Sequence, residues 1–308
     1  MRGASGLSKH VFIATFVALV LSACSVPPPQ SNSERMPLTW ARTGEPTYPA
    51  VAYGQDPRNV ADIYSPTAGG NRGVIVLVHG GGFYSGGRSE VRELSGVIMA
   101  QVERGFSVVN IDYRLLTETS NNFPNAVDDV SMAVNWVREN GPAYNLNPAT
   151  LIVAGHSAGG TLAALVALGW NSPTSGALGR TAKVDGYISF AGIMNFENAA
   201  PISTAAGELW LGANAKVPGW KGAASPTTHL DPADPPGYLA HGDMDNVIEM
   251  GQVDQMISAL VRSGTNYSKL FVDRVTTGED ACRWHLPQCG VNATQLNKWI
   301  DLVVDRRF

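Results

Sequence analysis

At 308 residues the chain can bury one large core, and a single domain is expected. Its formal net charge is −4 at pH 7, with no basic stripe, no lysine-rich block and no aromatic residues interleaved with cations, which excludes tracking of a nucleic-acid backbone. Apart from an apolar run near the N-terminus, no segment is apolar enough to hold a bilayer.

That run, Val11 to Leu21, follows Arg2 and Lys9 and is too short to span a membrane, which suits the core of a signal peptide. It ends in Leu21-Ser22-Ala23-Cys24, a quartet that resembles a bacterial lipobox. The resemblance implies that residues 1–23 are removed, that Cys24 is lipidated and becomes the first residue, and that the chain is held in the cell envelope outside the cytoplasm. The other reading is an ordinary secretory signal with a chance cysteine. A diacylglycerol plus an N-acyl chain anchors stably where one chain does so only marginally. Residues 24–37 are proline-rich and polar and read as a tether, so the catalytic domain is expected over 38–308.

After the tether, strands alternate with helices. Strands are expected at Tyr48–Tyr53, Asn59–Tyr64, Gly73–Val78, Phe106–Ile111, Leu151–Ala154, Val184–Ala191, Tyr238–Ala240 and Lys269–Val275. Helices are expected at Ser89–Arg104, Asn125–Asn140, Leu162–Leu168, Val247–Ser263 and Ala293–Asp305, the second of them stopped by Gly141-Pro142. No internal repeat is present. The alternation predicts an α/β fold with a mostly parallel sheet covered on both faces and functional groups at the carboxyl ends of strands.

Three stretches carry the chemistry. Leu151–Thr161, LIVAGHSAGGT, reads as strand, sharp turn and helix with Ser157 at the apex, where Gly155 and Gly159 keep Cβ atoms out of a crowded turn. Gly73–Phe83, GVIVLVHGGGF, is a buried strand running into glycines, and Gly237–Ile248, GYLAHGDMDNVI, is an apolar run ending in an acidic turn. With a late histidine, the set resembles the α/β-hydrolase serine esterases of the HGGG and GHSAGG type, related to hormone-sensitive lipase and to acetyl-xylan and feruloyl esterase-like proteins. The resemblance runs from Tyr48 to the C-terminus.

A serine hydroxyl needs a base, and the base needs an orienting acid. In the family the order is serine, acid, histidine, and His285 is the one histidine after the acidic turn. His229 and His241 are the competitors, each with a structural role as the alternative. His79 is expected to hold the glycine loop, and the His156 ring to point away from the site. For the acid, His241, Gly242, Asp245 and Val247 match the family spacing, so Asp245 is chosen and Asp243 is expected to brace the turn. Asp128 and Asp129 face different sides of one helix and cannot form a dyad, although one can brace a loop. The resemblance also implies an oxyanion hole from the backbone amides of Gly81, Gly82 and Ala158, with no cofactor.

The loop carrying His285 is longer than in related chains, and Cys282 and Cys289 bracket the histidine. Export and the loss of Cys24 to lipid leave these two to pair as a disulfide, worth about 2.5 kcal/mol by the chain-entropy argument. A Cys-His-Cys metal site is the alternative, but it offers three ligands and consumes the base.

The expected function is a serine carboxylesterase hydrolysing short acyl esters through an acyl-enzyme, with acetylated or feruloylated carbohydrate among its candidate substrates. Trp210, Leu211 and Trp220 are candidate contacts to an acyl or aromatic group, with ordinary core packing as their other reading. The alternatives are an arylformamidase-like amidase of the same fold and a catalytically silent surface-binding lipoprotein. Nothing in the sequence speaks to oligomeric state.

Overall fold

A computed structural model describes residues 45–66, 70–89, 95–117, 123–169, 182–264, 269–275, 285 and 291–308. The expected signal and tether, with Cys24, lie outside the described residues, as do Cys282 and Cys289. Strands β1 (Tyr48–Ala52), β2 (Val60–Tyr64), β3 (Gly73–Val78), β4 (Phe106–Ile111), β5 (Leu151–His156), β6 (Gly186–Phe190), β7 (Gly237–Gly242) and β8 (Leu270–Val275) join in one sheet. Their spatial order is β1-β2-β4-β3-β5-β6-β7-β8. Pairing is antiparallel at β1–β2 and β2–β4 and parallel from β4 to β8. This is the mostly parallel α/β sheet expected from the alternation of elements, and the α/β-hydrolase fold that the resemblance implies.

The central strand β3 shows why its sequence is uniformly apolar. Val74, Val76 and Val78 enter one core and Ile75 and Leu77 the other, because successive side chains leave opposite faces of the sheet. The first core is closed by α2 (Asn125–Asn140), α3 (Ala158–Ala167) and α6 (Gly251–Ser263); the second is closed largely by α7 (Ala293–Val304) through Leu296, Trp299, Ile300 and Val303. Among the described residues no helix is long and apolar enough to cross a membrane.

Local differences from the expected elements have local causes. The helix expected over Ser89–Arg104 is described from Ser95, as a π turn Ser95–Met99 leading into the short α1 (Ala100–Glu103). The helix expected from Val247 starts at Gly251, because the amides of Val247 and Ile248 donate to Asp245 Oδ1 at 2.9 Å and are held in a turn. Two helices were not expected: α4 (Pro201–Leu211) and the short α5 (Trp220–Ala223). Proline at the first position and Gly212 just past the end are the sequence signals that mark α4.

Asp129, mid-helix in α2, is the acid that braces a loop. Its fully buried carboxylate accepts from the Arg114 backbone amide at 2.8 Å and from Arg114 Nε and Nη2 at 2.9 and 2.6 Å. This fixes the segment after β4, where Tyr113 stacks on His79 with ring centroids 4.2 Å apart. Asp129 is fully buried while Arg114 is about one-third exposed, so removing the acid leaves a guanidinium that water reaches only in part and an Arg114 amide without its acceptor. Asp129→Ala is therefore expected to lower stability by roughly 3 kcal/mol, read as a lower urea midpoint at unchanged m-value.

Candidate active site

Ser157 stands between β5 and α3 with φ 55° and ψ −121°, a conformation that costs a non-glycine residue about 1–3 kcal/mol. The surroundings over-determine it. Ser157 N donates to Phe190 O at 2.8 Å, and the first turn of α3 is pressed against both neighbouring segments. A Cβ on Gly155 would lie 2.3 Å from the Gly159 carbonyl, and one on Gly159 would lie 2.3 Å from Val78 O. The G-x-S-x-G spacing is thus a steric requirement of the turn. Ala158 opens α3, so the positive end of that helix lies directly behind the serine.

The acidic turn after β7 brings Asp245 to His285. His285 Nδ1 donates to Asp245 Oδ2 at 2.6 Å, while Asp245 Oδ1 accepts from the turn amides. The Asp245 side chain is 2% exposed. Burial pushes its carboxyl up, but the charge and hydrogen bond of His285, with His241 and the Ile248 amide, outweigh that and hold it below the usual carboxylate range. An ionised Asp245 accepts the proton on Nδ1 of His285, and in the neutral tautomer that carries this proton the lone pair is on Nε2. That Nε2 is buried and carries no hydrogen bond. A serine–histidine bond in this arrangement commonly tightens only when substrate is present. Asp243 is exposed, so the turn is braced by Asp245 itself rather than by Asp243.

The other histidines sort by what they touch. His241 is buried, bonded through Nε2 to Ile248 O at 2.8 Å, and 3.6 Å from Asp245 Oδ2. His229 bonds Ala223 O at 2.8 Å. Both rings have their pKa lowered, chiefly by burial. His156 corrects an expectation: its ring does not turn away from the site but lies 4.8 Å from the ring of His285, tilted by 41°. Burial first, and then the His285 charge, push its pKa well below the ordinary value, so it stands beside His285 as a neutral ring.

The glycine loop that follows β3 carries Gly81 at φ 106° and Gly82 at φ 60°. Gly81 O accepts from Ser85 N at 3.0 Å, and a Cβ on Gly81 would meet Ser85 O at 2.2 Å, so the turn admits only glycine. His79 is buried behind the loop, stacked on Tyr113, with Nδ1 bonded to Gly80 O at 2.7 Å. Burial lowers its pKa to about 4, and it serves as the neutral support expected of it. Arg58 donates to Gly86 O at 2.9 Å and to Tyr113 O at 2.7 Å. A Cβ on Gly80 would sit 3.4 Å from Ser157 Cβ, so the loop lies directly against the elbow.

Of the two readings open for Trp210 and Leu211, the structure gives core packing: both are fully buried. That Trp210 stacks on Phe83, with centroids 4.0 Å apart and planes 4° apart, is a feature the sequence reading missed. Trp220 is half-buried, edge-on to Phe123. The second feature is a polar clasp between the acidic turn and the segment around α4. Glu249 accepts from Ala200 N at 2.9 Å and Ser203 Oγ at 3.0 Å, and the buried Gln252 accepts from Met194 N and Asn195 N at 2.8 Å. In sequence these two look like ordinary solvated residues at a helix start. Among the described residues no three histidine, cysteine or acidic side chains gather as a metal site.

Known proteins of similar sequence include Esterase LipQ of Mycobacterium tuberculosis, 29% identical over 225 residues that cover 70% of this chain and 52% of that one. Another is Methylphloroacetophenone synthase of Cladonia uncialis, 35% identical over 38% of this chain but only 5% of the synthase. The chain thus spans about half the length of the esterase and a small part of the synthase. Among solved structures, a truncated carbohydrate esterase from gut microbiota superimposes with a TM-score of 0.68 at 20% identity, over 84% of this chain and 96% of that one. That likeness is one of fold. The BD-FAE family model matches residues 61–260, from β2 to near the end of α6 and across the glycine loop, the elbow and the acidic turn, and the chain belongs to the BD-FAE family.

Proposed function

We propose that the chain is a serine carboxylesterase acting on short acyl esters, with acetylated or feruloylated carbohydrate as the substrate class. The observation that carries the reading is the buried Asp245–His285 pair, whose Nε2 has no hydrogen-bond partner, and the reading joins it to the serine held at positive φ on the elbow. In this reading Ser157 Oγ attacks the acyl carbonyl as its proton passes to His285 Nε2. The oxyanion is met by the amides of Gly81, Gly82 and Ala158, each worth roughly 3 kcal/mol in the transition state. His285 then gives the proton to the departing alkoxide, and a water deprotonated by the same nitrogen releases the acid from the acyl-enzyme. Asp245 stays ionised throughout and steadies the imidazolium. Membrane attachment through Cys24, and a Cys282–Cys289 disulfide around the base, belong to the same proposal and rest on the sequence.

The test is a hydrolysis panel on protein lacking residues 1–23: acyl esters of graded chain length, acetylated xylan fragments, feruloyl esters and the amides matched to them, with Ser157→Ala as the blank. Short esters are expected to turn over faster than long ones and much faster than matched amides. Amides cleaved faster than their esters would transfer the assignment to the amidase reading, and no turnover of any ester would overturn it.

A further inference from the structure

Phe83 directly follows the two glycines proposed as oxyanion donors, and it holds φ 69° although it is a bulky side chain that avoids this region. Such a conformation persists only where neighbours enforce it. One neighbour is Leu116, whose amide donates to Phe83 O at 2.8 Å. The other is Trp210, in the last turn of α4, whose indole lies flat on the Phe83 ring. Trp210 is itself clamped, because its carbonyl accepts from Phe123 N at 3.3 Å and the Phe123 ring stands edge-on against it at 4.8 Å. Both stacked rings are almost wholly buried. On the opposite side, the glycine loop is tied to Arg58 through Gly86 O. The loop is therefore fastened on both sides, and α4 supplies one of the fastenings.

We propose that Trp210 is a positioning residue for the oxyanion loop: through its stack on Phe83 it holds the Gly82–Phe83 peptide in the orientation that aims the loop's amides at the reacting carbonyl. The inference rests on the esterase reading for its catalytic consequence. If the stack is lost, Phe83 can relax toward negative φ. That rotation swings the preceding peptide and draws Gly81 and Gly82 from their places, while the Asp245–His285 pair on other loops is untouched. A donor displaced rather than deleted should forfeit part of the 10²–10³-fold that one oxyanion donor contributes.

The experiment compares Trp210→Leu and Trp210→Phe with wild type, counting active sites by stoichiometric reaction with a fluorophosphonate so that misfolded protein drops out. Trp210→Leu is expected to lower kcat per titrated site by about 10- to 100-fold, with KM moving by less than about 3-fold. Affinity for a trifluoromethyl ketone, which forms the oxyanion on binding, should fall by the same factor. Trp210→Phe, which keeps a ring on Phe83, should restore most of both. Two-dimensional amide NMR supplies a readout free of activity: the Gly81 and Gly82 signals should shift and exchange faster with solvent in the leucine variant and return toward wild type in the phenylalanine variant. Unmoved glycine amides in Trp210→Leu would overturn the proposal whether or not the chain is an esterase. A kcat per titrated site equal to wild type would overturn it too, as would a raised KM at constant kcat, which would make Trp210 a shaper of the acyl pocket. Failure of wild type to hydrolyse any ester would sink the esterase reading alone, since the amide signals still decide the loop.

Discussion

On the proposed roles, Ser157→Ala and His285→Ala should each lower kcat by about 10⁶-fold, and Asp245→Asn by about 10⁴-fold, because a nucleophile, its base and the orienting acid act as one unit. The same logic makes the losses non-additive: the Ser157→Ala, His285→Ala double variant should be no slower than either single one. Asp243→Asn should fall within about 3-fold of wild type, since Asp243 is exposed while the bond to His285 Nδ1 belongs to Asp245. Asp245→Asn must also cost stability, because Oδ1 receives the Val247 and Ile248 amides, and an amide side chain turned to serve them loses the second role. The sign of the accompanying pH effect follows from the lowered pKa of Asp245. Its stabilisation is fully present above the unfolded carboxylate value near 3.9 and is lost as pH falls through the lower folded value, so wild type loses this contribution in acid and the asparagine variant has none to lose. Chemical denaturation between pH 2 and pH 6 reads the difference. Equal kinetic losses for the two aspartates, or additive losses in the double variant, would break the assignment.

What the sequence revealed and what it hid divide along a physical line. Buried parallel strands are legible because both faces are apolar, as in β3, and the elbow is legible because glycines spaced around a serine are there for lack of room. The pairing of Asp245 with His285 could be anticipated because chain order and one short turn leave few choices. Contacts between elements far apart in sequence were not legible. Nothing in PISTAAGELWL announces that its tryptophan will lie on the residue after the HGGG glycines, since a core tryptophan and a pocket tryptophan have the same composition around them. The His156 ring was misjudged for a related reason. Alternation along β5 assigns a face to a side chain, but the approach of a second ring from the loop after β8 is decided by tertiary packing. Asp245 took over the bracing expected of Asp243 because one carboxylate has two oxygens, and the turn uses both.

Gly159→Ala is expected to damage both folding and catalysis far more than Gly160→Ala, although the two glycines are neighbours in the first turn of α3. A Cβ on Gly159 would lie 2.3 Å from Val78 O, 2.5 Å from His79 O and 2.8 Å from Val78 C, all backbone atoms of the strand end from which the glycine loop departs. No rotamer change relieves such a contact; the elbow and the loop must separate. At Gly160 the nearest atom is Ser189 Oγ at 2.6 Å, with backbone oxygens beyond at 3.1 and 3.2 Å. Ser189 Oγ is buried without a hydrogen-bond partner, so it can swing aside and break no bond. Alanine in place of glycine within a helix also returns about 1 kcal/mol. For Gly160→Ala that gain largely offsets the crowding, and stability should stay within about 1 kcal/mol of wild type. For Gly159→Ala the crowding should dominate, with a net loss of about 3 kcal/mol. Because the displaced partners are the Ser157 turn and the proposed oxyanion loop, kcat per titrated site should fall by about 10² for a shift of roughly 1 Å. Urea midpoints and phosphonate-titrated kinetics on the two variants measure both quantities. Equal behaviour of the pair, or a Gly159→Ala enzyme with wild-type kcat, would mean that close contact between elbow and glycine loop does not set the geometry of the site.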